Sequence, residues 1–154
     1  MTQYAEGHPI AGFGYEEGGF PRDRVIGPYS GTNLEGFGVA YVALASESMA
    51  ACKTKAAAIA DQSKYTQVVL RQRTYFVYDT GEGFMSQSIY GTLYATYAEH
   101  TCYLFETNVA EASAGVVDDV EALTTVQARA IERHLLAIMK SVRIVPQRRT
   151  HADQ

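Results

Sequence analysis

The sequence predicts an α+β domain. It is an antiparallel β-sheet arranged as a meander, with a short helix after its first main strand and a long C-terminal helix packed on one face. Three observations predict this fold. Four β-rich runs between residues 65 and 109 are joined by short connections, as in an antiparallel meander. An alanine-rich stretch follows an earlier apolar strand, and an amphipathic stripe runs through residues 124–142.

The chain is long enough for one domain with a buried core. It has 154 residues, of which 47% are apolar and 19% are charged, so it is a foldable chain rather than a disordered one. We expect residues 1–35 to form an irregular, glycine-rich N-terminal segment with room for one short edge strand. Residues 36–145 should form the α+β body, and residues 146–154 a frayed tail.

The first main strand is predicted at residues 36–45. Both of its faces are apolar, which indicates a strand with neighbours on both sides. The alanine-rich residues that follow favour a helix. Ser46 can cap its first N–H groups and Glu47 suits its positive end, so we expect a helix over residues 47–53 at least. The remaining residues up to Asp61 are compatible with helix or loop.

Short breaks separate the four β-rich runs. The runs span residues 65–72, 74–79, 86–99 and 102–109. The glycines of residues 80–84 predict a turn, with Asp79 and Glu82 at the tip of a hairpin. Either the run 65–72 or the N-terminal segment is left at an edge of the sheet. Because exposed edges recruit partners, a homodimer is one expectation.

The clearest element is the C-terminal helix, predicted over residues 124–142 after a loop at 112–123. Thr124 and Gln127 match a capping box, in which each side chain satisfies the other residue's backbone N–H. The apolar stripe has to be buried against another element. Its members are Ile131, Leu135, Ile138 and Val142.

Charge and motifs exclude several functions. The net charge of −4 gives no general attraction to nucleic acid or to anionic membranes. No apolar run reaches the ~20 residues of a membrane span, and the first ten residues lack the basic and apolar regions of a signal peptide. Nucleotide-binding glycine loops, zinc-protease motifs and the hydrolase nucleophile elbow are missing from the sequence. No cofactor and no metal are therefore expected.

The two cysteines admit several roles. Cys52, Cys102 and His100 lack the ligand spacing of a zinc site. A catalytic cysteine needs a histidine placed against it by the fold, and His100 lies in a predicted turn. The residues alone favour a disulfide between Cys52 and Cys102, and leave two buried free thiols as the alternative.

Two functional hypotheses remain after this reading of the residues. The chain contains 11 tyrosines, a residue type that suits half-exposed strands and binding faces, and several of them lie in residues 86–97. The first hypothesis is therefore a binding or accessory domain. The alternative is a small hydrolase-type enzyme with a loop-borne acid/base site near His100 and Asp79 or Glu82.

A series of short stretches, taken in order, resembles a known group of proteins. They are GTNL at residues 31–34, AAC ending at Cys52, His100 before Cys102 and Tyr103, and TN at residues 107–108. Over residues 30–145 this order resembles a group of uncharacterised bacterial exported proteins. The layout is also similar, at the level of the fold, to PsbP/Mog1-type α/β/α sandwiches. The loop after residue 108 and the turn at residues 81–86 depart from the group, so a ligand here would differ.

The resemblance implies export, with removal of a signal peptide, and a disulfide between Cys52 and Cys102. It implies no activity. Together with the tyrosines, it predicts a non-catalytic periplasmic or secreted binding or accessory domain, whose partner is a protein or a cell-envelope component. The candidate binding residues are Tyr90, Tyr94, Thr107, Asn108 and Asn33.

Overall fold

A computed structural model describes residues 9–15, 28–84, 86–113 and 119–145. Its elements are β1 Pro9–Tyr15, β2 Leu34–Ala45, α1 Met49–Ala60, β3 Thr66–Leu70, β4 Arg73–Phe84, β5 Gln87–Ala98, β6 Thr101–Ala112 and α2 Thr125–Ser141. The predicted α+β class is confirmed. Much of the predicted irregular N-terminal segment, residues 1–8 and 16–27, and the predicted frayed tail, residues 146–154, lie outside the described residues.

The strands form a single sheet in the order β1-β2-β6-β5-β4-β3. All five neighbouring pairs are antiparallel. The strands from β3 to β6 form the predicted meander, and β2 joins them by pairing with β6. Within the described chain β1 and β3 are the two edges, and β2 is flanked on both sides, as its two apolar faces predict.

One helix lies on each face of the sheet. Alternate residues of a strand point to opposite faces, so the same strands supply two separate cores. On the α1 face the core includes Val42, Leu44, Cys52, Ala56, Phe76, Tyr78, Leu93, Ala95, Cys102 and Leu104. On the α2 face it includes Leu34, Phe37, Val39, Tyr75, Phe105, Val109, Ile131, Leu135 and Met139. The long helix therefore packs on one face, as predicted.

The start of α1 differs from the prediction. Ser48, not Ser46, is the N-cap, and its hydroxyl accepts the N–H of Ala51 at 3.1 Å. The backbone N–H of Ser46 instead donates to the carbonyl of His100 at 2.8 Å. The Ser46 hydroxyl donates to the carbonyl of Ser48 at 3.1 Å, so Ser46 lies before the helix with its backbone bound to the β5–β6 turn. Because α1 continues to Ala60, Cys52 lies in its first turn rather than near its end.

The predicted glycine turn at residues 80–84 is wrong. Strand β4 continues through Gly81 and Gly83, which pair with Tyr90 and Ser88 of β5. Pairing along the full length of β5 overrides the local preference of glycine for turns. Asp79 and Glu82 therefore lie in a strand and not at a hairpin tip.

The capping box of α2 is confirmed. The Thr124 hydroxyl accepts the N–H of Gln127 at 3.2 Å, and the Gln127 side-chain oxygen accepts the N–H of Thr124 at 2.9 Å. Ile131 and Leu135 of the predicted stripe are buried, together with Met139. The stripe therefore anchors α2 to the sheet.

A disulfide joins Cys52 of α1 to Cys102 of β6, with their Cα atoms 5.2 Å apart. Both residues are fully buried in the α1-face core. The bond is the one that the resemblance implies, and it removes both thiols from metal binding and from nucleophilic catalysis. It also fixes the first turn of α1 against the centre of the sheet.

Asn33 ties the start of β2 to two other segments. Its amide nitrogen donates to the carbonyl of Ala112 at 2.9 Å, and its amide oxygen accepts the N–H of Leu123 at 3.0 Å. The residue is 6% exposed. Its side chain therefore holds the end of β6 and the segment before α2 in place.

We expect Asn33→Ala to lower the free energy of unfolding by about 2 kcal/mol, because a buried donor and a buried acceptor lose their partner. Asn33→Asp should have an intermediate effect, since a carboxylate can still accept the N–H of Leu123 but cannot donate to Ala112. Urea unfolding followed by circular dichroism measures both changes. An alanine variant as stable as the wild type would contradict this role.

Candidate binding surface

The open part of the α2 face lies on β5 and β4. Tyr90, Thr92 and Tyr94 are three successive side chains of β5 on this face. They are paired with Val109, Thr107 and Phe105 of β6 on one side, and with Gly81, Asp79 and Val77 of β4 on the other. The β6 residues are buried, whereas Asp79 is exposed and Tyr90 is 37% exposed. The exposure of the side chains on this face therefore increases from β6 towards β4.

An aromatic series connects this open area to the α2-face core. The ring of Tyr94 meets Tyr75 edge to face, with centroids 6.4 Å apart, and Tyr75 meets Phe105 at 6.3 Å. Tyr75 and Phe105 are buried, while Tyr94 is half-buried. Tyrosine suits this margin because its ring packs on apolar groups and its hydroxyl reaches water. The ring of Tyr94 is therefore packed against the margin of the core.

Two carboxylates accompany Tyr90. Its hydroxyl donates to Glu111 Oε1 at 2.7 Å. Burial raises the pKa of Tyr90 far above its usual value, and the hydrogen bond to Glu111 and the charges of Glu111 and Glu132 raise it further. Tyr90 thus stays protonated and remains a donor to Glu111. We call Tyr90, Thr92, Tyr94, Glu111 and Glu132 the Tyr90 surface.

The pH dependence of stability follows from the tyrosines. Burial is the largest cause that raises the pKa of five of them above the usual 10.0: Tyr41, Tyr75, Tyr78, Tyr90 and Tyr94. In the unfolded chain these groups ionise near pH 10, whereas the folded chain keeps their protons. Their contribution to stability is therefore complete below pH 10 and is lost as pH rises through the folded values.

We expect the urea midpoint to fall as the pH is raised past 10.0, the ordinary pKa of tyrosine. Tyr90→Phe should make this decline shallower, because phenylalanine has no proton to lose. Unfolding curves recorded across this pH range, with Tyr29→Phe as the control, measure the difference. Equal slopes for the wild type and Tyr90→Phe would contradict the shifted pKa.

The structure brings together three of the five predicted binding residues. Tyr90 and Tyr94 lie on the Tyr90 surface. Thr107 lies beneath it at 6% exposure, where its hydroxyl accepts the N–H of Thr92 and donates to the Thr92 carbonyl. Asn108 follows Thr107 in the strand and so lies on the α1 face. Asn33 is the buried structural residue described above.

The residues of the hydrolase hypothesis are not brought together. His100 lies in the β5–β6 turn, whereas Asp79 is opposite Thr92, about halfway along β4. At ~3.3 Å per residue, His100 and Asp79 are about 20 Å apart along the strands. Glu82 is opposite Ile89, which is farther still from the turn. These three side chains do not form one acid/base site.

Glu111 and Glu132 were missed by sequence reasoning. The run 102–109 predicts the end of β6 before Glu111, while the strand extends to Ala112. Continuing the period-two alternation of β6 beyond residue 109 would have placed Glu111 on the same face as Val109 and Thr107. Glu132 looks like an ordinary residue of the solvated helix face. Only the packing of α2 on the sheet brings it near Tyr90.

The part of the chain that the structure describes contains no group of three or more metal-ligating side chains. In the same residues, no helix is both long and apolar enough to cross a membrane. No protein-family model matches the chain, and no curated protein matches it. A proposal for its function therefore depends on the geometry of the Tyr90 surface and on the disulfide.

Proposed function

We propose that the protein is a non-catalytic binding or accessory domain that works in the periplasm or outside the cell. Its partner is a protein or a cell-envelope component, which it contacts through the Tyr90 surface. The observation that carries this proposal is the half-exposed Tyr90, held as a neutral donor by Glu111 at the open part of the α2 face. Rigid, amphipathic tyrosines supply contact area at a low cost in conformational entropy.

The disulfide supports the proposed compartment. Disulfides form and persist in oxidising environments such as the periplasm and the extracellular space, and are rare in the cytosol. The bond between Cys52 and Cys102 lies in the α1-face core, where it has a structural role. A chain that depends on such a bond suits export.

The charges on the Tyr90 surface define the chemistry of the partner. Glu111 accepts the Tyr90 hydroxyl, and the charge of Glu132 is close enough to raise the pKa of Tyr90. Among the described residues no ion pair of either carboxylate with a cation is found. A lysine or arginine group of a partner would be attracted by both carboxylates and could lie over a tyrosine ring. The partner is therefore expected to present cationic groups.

Nuclear magnetic resonance with 15N-labelled protein tests this proposal. A lysine-rich peptide should shift the amide signals of Tyr90, Thr92, Tyr94 and Glu111, and a glutamate-rich peptide of the same length should not. Binding should weaken with added salt, because exposed charges are screened. Shifts spread evenly over the chain, or confined to another face, would argue against the proposed surface.

Matched variants complete this test. Glu111→Gln combined with Glu132→Gln should weaken peptide binding by about tenfold, equivalent to ~1.4 kcal/mol. Glu99→Gln removes an exposed carboxylate in the β5–β6 turn and should leave binding unchanged. The wild type, the double variant and Glu99→Gln are then immobilised and exposed to envelope extract. The natural partner is the component that the wild type and Glu99→Gln retain and the double variant does not. Equal retention by all three would contradict the proposal.

A further inference from the structure

The outer edge of β3 carries unpaired backbone groups. Within the described chain β3 pairs with β4 alone. The two residues that join them, Arg71 and Gln72, have positive φ angles of 48° and 64°, as in a two-residue hairpin turn that closes on Leu70 and Arg73. Hydrogen-bonded and non-hydrogen-bonded pairs alternate in an antiparallel ladder. The N–H and C=O groups of Gln67 and Val69 therefore point away from β4.

This edge lacks the features that normally block strand addition. Between Thr66 and Leu70 there is no charged residue and no proline, and the register with β4 is regular. Val69 is 68% exposed. The opposite edge, β1, contains Pro9 and a register shift after it. Of the two edges, β3 is the one open to another strand.

We propose that a second copy of this chain pairs with β3 antiparallel, so that two sheets join into one across a two-fold axis. The outward backbone groups restrict the register, because Gln67 and Val69 must be the hydrogen-bonded positions on both sides. Placing Gln67 opposite Val69 of the second copy satisfies this condition for both residues at once. Val68 then lies on the two-fold axis, in a non-hydrogen-bonded pair with itself.

The sequence around β3 favours this register over its neighbours. In this register all five residues of β3 pair with residues of β3 in the second copy. The flanking cations do not face each other, because Lys64 is opposite Gln72 and Tyr65 is opposite Arg71. A shift that places Val69 opposite itself would set Gln67 against the turn residue Arg71. The reverse shift would set Val69 against Tyr65, which precedes the strand. Both alternatives shorten the pairing.

Cysteine cross-linking tests the register. Both native cysteines are in the disulfide, so an introduced thiol is the only free one. The Cα atoms of a non-hydrogen-bonded pair are about 4.5 Å apart, a separation that a disulfide can bridge. We expect Val68→Cys to form covalent dimers rapidly under mild oxidation. Thr66→Cys alone should not, whereas a mixture of Thr66→Cys and Leu70→Cys should form the mixed dimer.

Sedimentation equilibrium tests the dimer without cross-linking. The wild type should dimerise, and Val69→Lys should raise the dimer dissociation constant about tenfold, because a charged side chain on an edge strand opposes strand addition and the two introduced charges are diagonal neighbours across the joined edge. Val126→Lys alters a residue of α2 that is 75% exposed and serves as the control. A monomeric wild type, a dimer unaffected by Val69→Lys, or equal cross-linking of Val68→Cys and Thr66→Cys would each overturn the proposal. The Tyr90 surface lies on other strands, so these results do not depend on it.

Discussion

Reduction of the Cys52–Cys102 bond should lower the free energy of unfolding by about 4 kcal/mol. The bond spans a sequence separation of 50 residues, and it restricts the unfolded chain far more than the folded one. It also holds α1 to the sheet, where the fully buried residues of α1 are Cys52 itself and Ala56. Urea unfolding with and without a phosphine reductant measures the change, provided that alkylation shows both thiols to be free.

The Cys52→Ala, Cys102→Ala double variant separates the bond from the chemistry of the reductant. Its stability should match that of the reduced wild type to within about 1 kcal/mol, and reductant should have no further effect on it. A wild-type chain whose urea midpoint is the same before and after complete reduction would contradict a stabilising role for the bond.

The second large effect is expected at Gly91. A Cβ atom added there would lie 1.7 Å from the carbonyl oxygen of Thr107 and 2.8 Å from its carbonyl carbon. Both atoms belong to the backbone of β6, so no side-chain rotation can relieve the contact, and the two strands would have to separate. We expect Gly91→Ala to lower the free energy of unfolding by about 3 kcal/mol, at the upper end of the effects of overpacking.

Gly83→Ala is the matched control for Gly91→Ala. Gly83 also lies in a strand, but among the described residues no atom beyond its chain neighbours lies within 4 Å of an added Cβ. Alanine there should leave stability unchanged or raise it by up to about 1 kcal/mol, because glycine weakens a strand through its conformational freedom. Urea unfolding measures both variants, and limited proteolysis measures Gly91→Ala if it refolds poorly. Equal stability of the two variants would contradict the close approach of β5 and β6 at Gly91.

Local sequence signals predicted the elements whose stability is local. The capping box and apolar stripe located α2 to within one residue at each end, and period-two alternation identified β5. The predictions were wrong where tertiary contacts determine the bounds of an element. Ser46 and Ser48 are equally suitable caps by residue type, but the bond from the Ser46 backbone to His100 extends the strand pairing as far as Ser46, and the helix begins after Ser48. Gly81 and Gly83 look like turn residues until β5 pairs with them.

The candidate surface was predictable only in part, for the same reason. Alternation in β5 places Tyr90 and Tyr94 on one face, and their half-exposed position follows from the properties of tyrosine. The partners of Tyr90 come from β6 and α2, which are distant in the sequence. Their proximity depends on strand register and helix packing, and no local pattern encodes either. Asn33 resembled a binding residue because a polar residue next to a turn has the same appearance whether its partners are a ligand or the backbone.

The pairing of β2 with β6 has a consequence for the order of folding. These strands are separated in the sequence by α1 and by three other strands, so closing the loop between them is entropically unfavourable and slow. Cys52 lies shortly after β2, and Cys102 is the residue that pairs with Leu44 of β2. An oxidised chain therefore begins folding with this loop already closed. The oxidised chain should refold faster than the reduced chain, because the disulfide already holds the segments that carry β2 and β6 close together.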